Sequence, residues 1–572
     1  MTRLSQMARY LKPVLLVLAL AFALPGMVGN AFKFAEISGT ISYAFQFALV
    51  WAAFLIAGFI PNAPLRWLTA IVLAAASYFL LVYEHTTGRF MSYDAFINML
   101  NAAGFIGEAL VQNRAAFIGA VPASLLLLFA IGLRPRQQLK LSGWLVPVIP
   151  LIGLAAVTGH IYLRGGEGGD DQPPGFVTLA YLGLAGYEAT TGNIGERQPV
   201  QLATASEPKA RNIVLMVDES IAADYLDINA PGGVPTPLSR EWPGVAIHNY
   251  GRAASITNCS AGSNASLRFG GTRANYLQTI ATAPSIWAFA KKAGLRTVYI
   301  DAQHDGGTLQ NMMTAEEKAE IDRFVQYDDV PKIDRDMAAA RTLREELADP
   351  SPKFILVNKA GAHFPIQDIY PEEYMHYRPA LPRSKEGEQY FAGMLRGFKG
   401  SPQEWALYRN SYRNTLVWRV SAFFEEFLGK ADLADTTIIY TADHGQDLHE
   451  DGSSGLYTHC GPDAVPVEGA VPMLVIEGAD RPTLDWEQHL ASNHDRTSHY
   501  MIFPTLLALM GYDRAAAAPV YGAPLDAPST DPGTFNKVFN ARLNRQPEWV
   551  SIAPANRPMQ AMNEGNAKPL AN

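Results

Sequence analysis

The apolar positions of this chain fall into two regimes that meet near residue 164. Before it, five stretches at 11–31, 41–60, 65–83, 115–133 and 141–162 are each long enough to cross a bilayer, which takes roughly 20 apolar residues. After it, short hydrophobic runs near 212–217, 297–301, 353–358, 436–441 and 472–476 alternate with helical stretches such as 286–293 and 405–428. That alternation predicts a mostly parallel central sheet with helices on both faces. The chain therefore reads as an N-terminal five-helix transmembrane bundle at 1–164, a linker at 165–210, a soluble α/β domain at 211–526 and a C-terminal tail at 527–572.

The connecting segments refine this division. Residues 93–112 (YDAFINMLNAAGFIGEALVQ) intersperse Phe96, Met99, Leu100 and Phe105 with Asn98, Asn101 and Glu108, which predicts an amphipathic interfacial helix at about 91–113. The run 165–175 (GGEGGDDQPPG) is too rich in Gly, Pro and acid to pack and reads as a bridge. The tail, rich in Asn, Pro and Ala without periodicity, is expected to be loosely ordered. Arg3, Arg9 and Lys12 lie at or before the start of the first span, Arg66 at the junction of the second and third, and Arg134, Arg136 and Lys140 between the fourth and fifth. Positive-inside reasoning places the N-terminus in the cytoplasm and everything after Tyr162 outside. The first span lacks an evident small-residue cleavage site and more spans follow it, so it is not expected to be a cleaved signal peptide. A net charge of −8 gives no basic footprint for nucleic acid.

Two of the hydrophobic runs end in acid. Residues 212–217 (NIVLMV) lead into Asp218, Glu219 and Ser220, and 436–445 (TTIIYTADHG) deliver Asp443 and His444 before Gly445. Open α/β sheets place their sites at the C-terminal edge, where a carboxylate beside an imidazole suits a divalent metal such as zinc. A strand-end turn with a solvated Asp is the bland alternative. The stretch 255–271 (SITNCSAGSNASLRFGG) is dense in hydroxyls and small residues, either an anion-binding helix start or an ordinary capped helix. In 455–462 (GLYTHCGP), His459 follows Asp443 by a short loop, as a ligand or a donor to phosphate oxygens.

Taken in order, a strand ending in Glu, a hydroxyl nucleophile, a His, then Asp-His and a further His resemble the alkaline phosphatase and sulfatase superfamily. Within it, the chain resembles the membrane-bound phosphoethanolamine transferases that modify lipid A and related envelope glycans. The resemblance puts Glu219 of Asp218-Glu219-Ser220 on the family's Gly-Glu-Ser/Thr motif as a metal ligand, with Asp218 a departure. It makes Ser260 the nucleophile, in the register of Thr-Ala-x-Ser-x-Pro-Cys but with Ser for Thr and no Pro or Cys following; Thr257 is the rival. His363 of 359–365 (KAGAHFP) falls on the Gly-Ser-His-Gly-Pro loop, Asp443 and His444 on Ser-Asp-His-Gly, and His459 on Leu-Tyr-x-His. Asn98 and Glu108 match the family's interfacial loop, which helps hold the lipid, though their spacing differs and a membrane-resting helix is the alternative. His494 and Asp495 are read as structural.

What the resemblance implies is a metal-dependent transferase with Glu219, Ser260, Asp443 and His444 around one or two Zn2+ ions, and Ser260, His363 and His459 as catalytic groups. It would move phosphoethanolamine from phosphatidylethanolamine to a lipid A-like glycolipid or glycan through a covalent Ser/Thr intermediate. The expected setting is the bacterial inner membrane, multi-pass, with a periplasmic catalytic domain, as a monomer. A phosphoglycerol transferase, a sulfatase- or phosphatase-like hydrolase and a catalytically degenerate membrane scaffold are the competing readings. Cys259 and Cys460 adjoin Ser260 and His459; if the site forms they come close, either as a disulfide, which persists outside the membrane, or as free buried thiols. Other disulfides common in the family are lacking.

Overall fold

In the computed structural model the described residues are 3–31, 37–87, 90–101, 113–136, 143–170, 172–191, 196–384, 390–391, 394–395, 398–461, 464–539, 543 and 545–552. They form two units, Met1–Asn193 with Ala541–Gln546, and Ile194–Asn540 with Pro547–Asn572.

The first unit is helical: α1 (Arg3–Ala31), α2 (Ile37–Ile56), α3 (Ala63–Thr87), α4 (Tyr93–Asn101), α5 (Arg114–Gly132), α6 (Leu145–Leu163) and α7 (Pro174–Thr191). Among the described residues four helices are long and apolar enough to cross a membrane, Thr40–Phe59, Ala63–Thr86, Arg114–Gly132 and Leu145–Leu163. The first of the five expected spans is helical as α1, where the described apolar stretch is the shorter Tyr10–Leu24. Large apolar side chains such as Phe22, Phe45, Leu68 and Ile118 stay exposed on these helices, as lipid-facing side chains do. Lys12 and Arg66 are buried and donate to carbonyls that a helix end leaves without partners, Ile131 and Leu133 from Lys12, Gly132 and Ile60 from Arg66.

The expected linker at 165–210 needs correction. Within it α7 opens on Pro174, tolerated at a helix start where no N–H is required, and buries Phe176, Val177, Ala180, Tyr181 and Leu184 in the first unit's core. Gly175 permits this: a Cβ there would stand 2.7 Å from the Leu73 carbonyl of α3. The expected interfacial helix is described only as α4; residues 102–112, with Glu108, lie outside the described residues.

The second unit is built on one sheet of eight strands: β1 (Asn212–Asp218), β2 (Val245–Ala254), β3 (Arg296–Asp301), β4 (Arg323–Val325), β5 (Lys353–Asn358), β6 (Thr436–Ala442), β7 (Ala470–Gly478) and β8 (Thr497–Ser498), in the order β8-β2-β7-β6-β1-β5-β3-β4. The pairs β6-β1-β5-β3-β4 are parallel and β7 runs antiparallel to both neighbours. Every residue of β1, β5 and β6 is buried, which is why these segments read as continuous apolar runs rather than alternating ones. Trp287 packs against Phe354 and Phe424 against Tyr440, with ring centroids 5.3 and 5.0 Å apart.

The tail also departs from expectation. Thr534–Asn536 (β9) and Trp549–Ser551 (β10) pair antiparallel, Phe535 is buried beside Ala254 and Ala470, and Leu543 sits in the first unit's core. Three-residue strands carry too little pattern to be seen in sequence. Residues 553–572 lie outside the described residues.

Candidate active site

The register of β1 on β6 sets Asp218 opposite Ala442, so the residues that follow each strand, Glu219 and Asp443, emerge side by side at the C-terminal edge. The Asp443 amide donates to the Asp218 carbonyl at 2.9 Å. Asp443 Oδ1 accepts from the backbone amides of Ser220 (2.9 Å) and His444 (2.8 Å), while the buried Oδ2 has no hydrogen-bond partner. The ring of His444 is oriented by Nδ1–H donating to the Gly445 carbonyl at 2.8 Å. That fixes the tautomer and leaves Nε2 as a lone pair, 3.6 Å from Glu219 Oε1 and 3.7 Å from Asp443 Oδ2. One ligand atom from each of Glu219, Asp443 and His444 lies within 4.8 Å of the others, and all three residues are buried. Gly445 is demanded by space, since a Cβ would meet the Val467 carbonyl at 2.3 Å.

Ser260 is the first residue of α8 (Ser260–Phe269). Its Oγ stands 3.2 Å from His444 Nε2 and 3.4 Å from both Glu219 oxygens. Thr257, the rival, is buried outside this cluster: its hydroxyl reaches Asn258 Oδ1 at 3.4 Å and its carbonyl accepts from Ser255 and Ser263. The His459 ring lies against that of His444, centroids 4.2 Å apart, with Nδ1 2.9 Å from Thr458 Oγ1. His363 stands exposed on the loop after β5, its Nδ1–H donating to the Phe364 carbonyl at 2.7 Å. Asn98 lies on α4 of the first unit, with its side chain outside the described residues, as is all of Glu108.

Burial, reinforced by the negative charge of Glu219, pushes the Asp443 carboxyl up to about 7. Burial works against a charge on His444, but Asp443 and Glu219 outweigh it and raise the imidazole. Burial, with His444 and His363 alongside, holds His459 well below its ordinary range. Two carboxylates repelling each other, an orphaned carboxylate oxygen and an imidazole lone pair form a donor set that fits a divalent cation such as Zn2+.

Several supporting residues escaped the sequence reading. Asp218, the departure from the family Gly, forms a fully buried ion pair with Lys359 at 2.5 Å; Lys359 also donates to the Arg419 carbonyl at 2.7 Å. Burial pushes the Asp218 carboxyl up to about 6, against the pull of Lys359. Asp336 accepts from the amides of Ala360 (2.7 Å) and Gly361 (3.1 Å), and Ala362 donates to the Glu219 carbonyl at 2.9 Å, which ties the loop carrying His363 to Glu219. Gln303, just after β3, donates to Glu219 Oε2 at 3.2 Å and to the Lys359 carbonyl at 2.8 Å. Asn258 donates to the buried Glu468 at 2.7 Å. A lone Gln or Asn in a loop carries no sequence signal; a charged residue on each side of a predicted sheet edge, Asp218 and Lys359, is the one signal that pairing could have been drawn from. Cys259 and Cys460 are joined as a disulfide, Cα atoms 5.2 Å apart.

Residues 211–512, more than half of the 572-residue chain, match the Sulfatase family, and the chain belongs to that family. Its fold is similar to that of the integral membrane lipooligosaccharide phosphoethanolamine transferase A (EptA) from Neisseria meningitidis, with 17% identity and a TM-score of 0.59 over 88% of this chain and 96% of that one. The C-terminal periplasmic domain of EptC from Escherichia coli in complex with Zn aligns with 17% identity and a TM-score of 0.47, over 64% of this chain and 100% of that one. No curated protein matches the chain.

Proposed function

We propose that the protein transfers phosphoethanolamine from phosphatidylethanolamine to an envelope glycolipid or glycan through a covalent intermediate on Ser260. The observation that carries this reading is Ser260 Oγ, at the start of a helix in a sulfatase-family domain, 3.2 Å from His444 Nε2 and 3.4 Å from both oxygens of Glu219. The four membrane-length helices and the fold shared with a lipooligosaccharide phosphoethanolamine transferase support a lipid donor and a glycolipid acceptor.

Glu219, Asp443 and His444 would hold the cation with Ser260 beside it, and a bound divalent ion supplies neutralisation of phosphoryl charge and a lower pKa for the neighbouring hydroxyl. Ser260 Oγ attacks phosphorus, the Ser–O–P bond forms, and the P–O bond to diacylglycerol breaks. An acceptor hydroxyl then attacks phosphorus, the Ser260 Oγ–P bond breaks, and Ser260 recovers its proton. Each step takes one base and one acid. In the first step His459, held neutral by burial, is suited to accept the Ser260 proton and His363 to protonate the diacylglycerol oxygen, and in the second step the two exchange roles. The N–H groups at the start of α8 would donate to phosphoryl oxygens there. Asn98 and Glu108 are assigned to the lipid headgroup, and the Lys and Arg distribution to a cytoplasmic N-terminus with the catalytic domain periplasmic in the inner membrane. The protein acts as a monomer.

The test is diacylglycerol release by the full-length protein in vesicles carrying headgroup-labelled phosphatidylethanolamine or phosphatidylglycerol, with a glycolipid acceptor. Release with phosphatidylethanolamine and label on the acceptor is the expected result. Selective use of phosphatidylglycerol would make it a phosphoglycerol transferase, free headgroup in solution a hydrolase, and no release with either a scaffold.

A further inference from the structure

The Cys259–Cys460 disulfide joins positions 201 residues apart, and each cysteine is the chain neighbour of a group that touches His444. Ser260 follows Cys259 and places Oγ 3.2 Å from His444 Nε2; His459 precedes Cys460 and lays its ring 4.2 Å from that of His444. Cys259 occupies the position before α8 but makes no side-chain capping hydrogen bond, so its side chain serves the link and not the helix end. The two sides are otherwise unequal. Ser260 belongs to a helix whose residues from Gly262 to Phe269 are all buried. His459 belongs to residues 455–461, which form no helix or strand and are tied down by Cys460 N donating to the Asn258 carbonyl at 3.2 Å, Asp447 N to the Thr458 carbonyl at 2.7 Å, Trp405 Nε1 to the Gly455 carbonyl at 3.2 Å and His449 Nε2 against the Tyr457 carbonyl at 3.2 Å. Cys460 also holds φ +54, a region that residues with a Cβ populate sparsely. Releasing the bond therefore frees the His459 side first.

We propose that the Cys259–Cys460 disulfide is the positioning element that holds His459 against the Ser260–His444 pair, and that its reduction by a dithiol slows transfer by withdrawing His459; this rests on the transfer reaction proposed above. Cys460 is exposed and Cys259 half-buried, so a small thiolate reaches the bond. Reduction breaks the S–S bond and leaves two thiols, the two electrons and two protons coming from the dithiol, which closes its own S–S bond. The ligand trio Glu219, Asp443 and His444 is set by β1, β6 and their turns and keeps its place.

The test compares full-length wild type, His459→Ala and the double variant Cys259→Ser/Cys460→Ser, each with and without dithiothreitol, under steady-state transfer assay. Reduction of wild type is expected to lower kcat by about tenfold or more, as loss of orientation does, with KM within about twofold and zinc content unchanged, and reoxidation restores it. In His459→Ala, reduction is expected to cost little more, because both act through one group, and the double variant behaves as the reduced wild type and ignores dithiothreitol. Equal slowing of wild type and His459→Ala on reduction, loss of zinc with the bond, or no slowing with both thiols verified by alkylation would overturn the proposal. If oxidised wild type transfers nothing from any lipid, the reaction reading fails instead, and amide hydrogen exchange decides the positioning role. Faster exchange over residues 455–461 on reduction with β1 and β6 still protected supports it, and unchanged exchange there refutes it.

Discussion

Ser260 and Thr257 separate cleanly once hydroxyl positions are known, and their substitutions should separate as well. Ser260→Ala is expected to lower transfer by about 10³-fold or more, as loss of a nucleophile does, with zinc content unchanged. Thr257→Ala, whose hydroxyl bonds Asn258 and not the ligand cluster, should retain transfer within about threefold of wild type; a silent Ser260→Ala and a dead Thr257→Ala in the headgroup assay would move the nucleophile. A second single-residue expectation concerns His499, which is buried with Nε2 2.9 Å from Thr441 Oγ1 and is held down to about 3, chiefly by burial. A base with a lowered folded-state pKa binds fewer protons folded than unfolded, so this residue costs stability as pH falls below its unfolded value near 6.5. His499→Gln should flatten the dependence of unfolding free energy on pH between about 4 and 6 by about 1.4 kcal/mol per pH unit. Denaturant titrations across that range check it, and an unaltered slope would refute it.

Elements decide how much of this was legible in the chain. β1 and β6 were visible because strands buried on both faces write continuous apolar runs, and Glu219, Asp443 and His444 were visible because they end those runs. α7 was hidden by its own start: Gly165 to Gly175, which includes its first two residues, reads as a tether, and nothing local reveals that Gly175 lets the helix press onto α3. β9 and β10 were hidden by brevity. The Asp218–Lys359 pair was hidden because it joins the ends of β1 and β5, 141 residues apart, and the sequence places a charge at each strand end without showing that the two meet. That pair supports the turns carrying Glu219 and His363, so Lys359→Met, which leaves the buried Asp218 with hydrogen bonds from the Tyr440 hydroxyl and the Glu219 amide but no cation, should destabilise the protein by about 3–5 kcal/mol. Asp218→Asn combined with Lys359→Met should recover part of that loss. Thermal unfolding of the three forms measures it, and a double variant no better than the single would show that the pairing is not what Lys359 contributes.

At the scale of the whole molecule, the chain joins a unit with helices long enough to cross a membrane to a sulfatase-family domain in which Glu219, Asp443 and His444 could hold a metal ion beside the Ser260 hydroxyl. Placing substrate and catalyst on one membrane raises their effective concentration without any new contact. The central claim is that the transferred group rests for part of each cycle on Ser260. The measurement that reaches it most directly is the intact mass of the zinc-loaded full-length protein after incubation with phosphatidylethanolamine and no acceptor, followed by peptide mapping. A phosphoethanolamine adduct on Ser260, absent in Ser260→Ala and discharged when acceptor is added, is the predicted result; an unmodified protein that nonetheless transfers the headgroup, or an adduct on another residue, would contradict it.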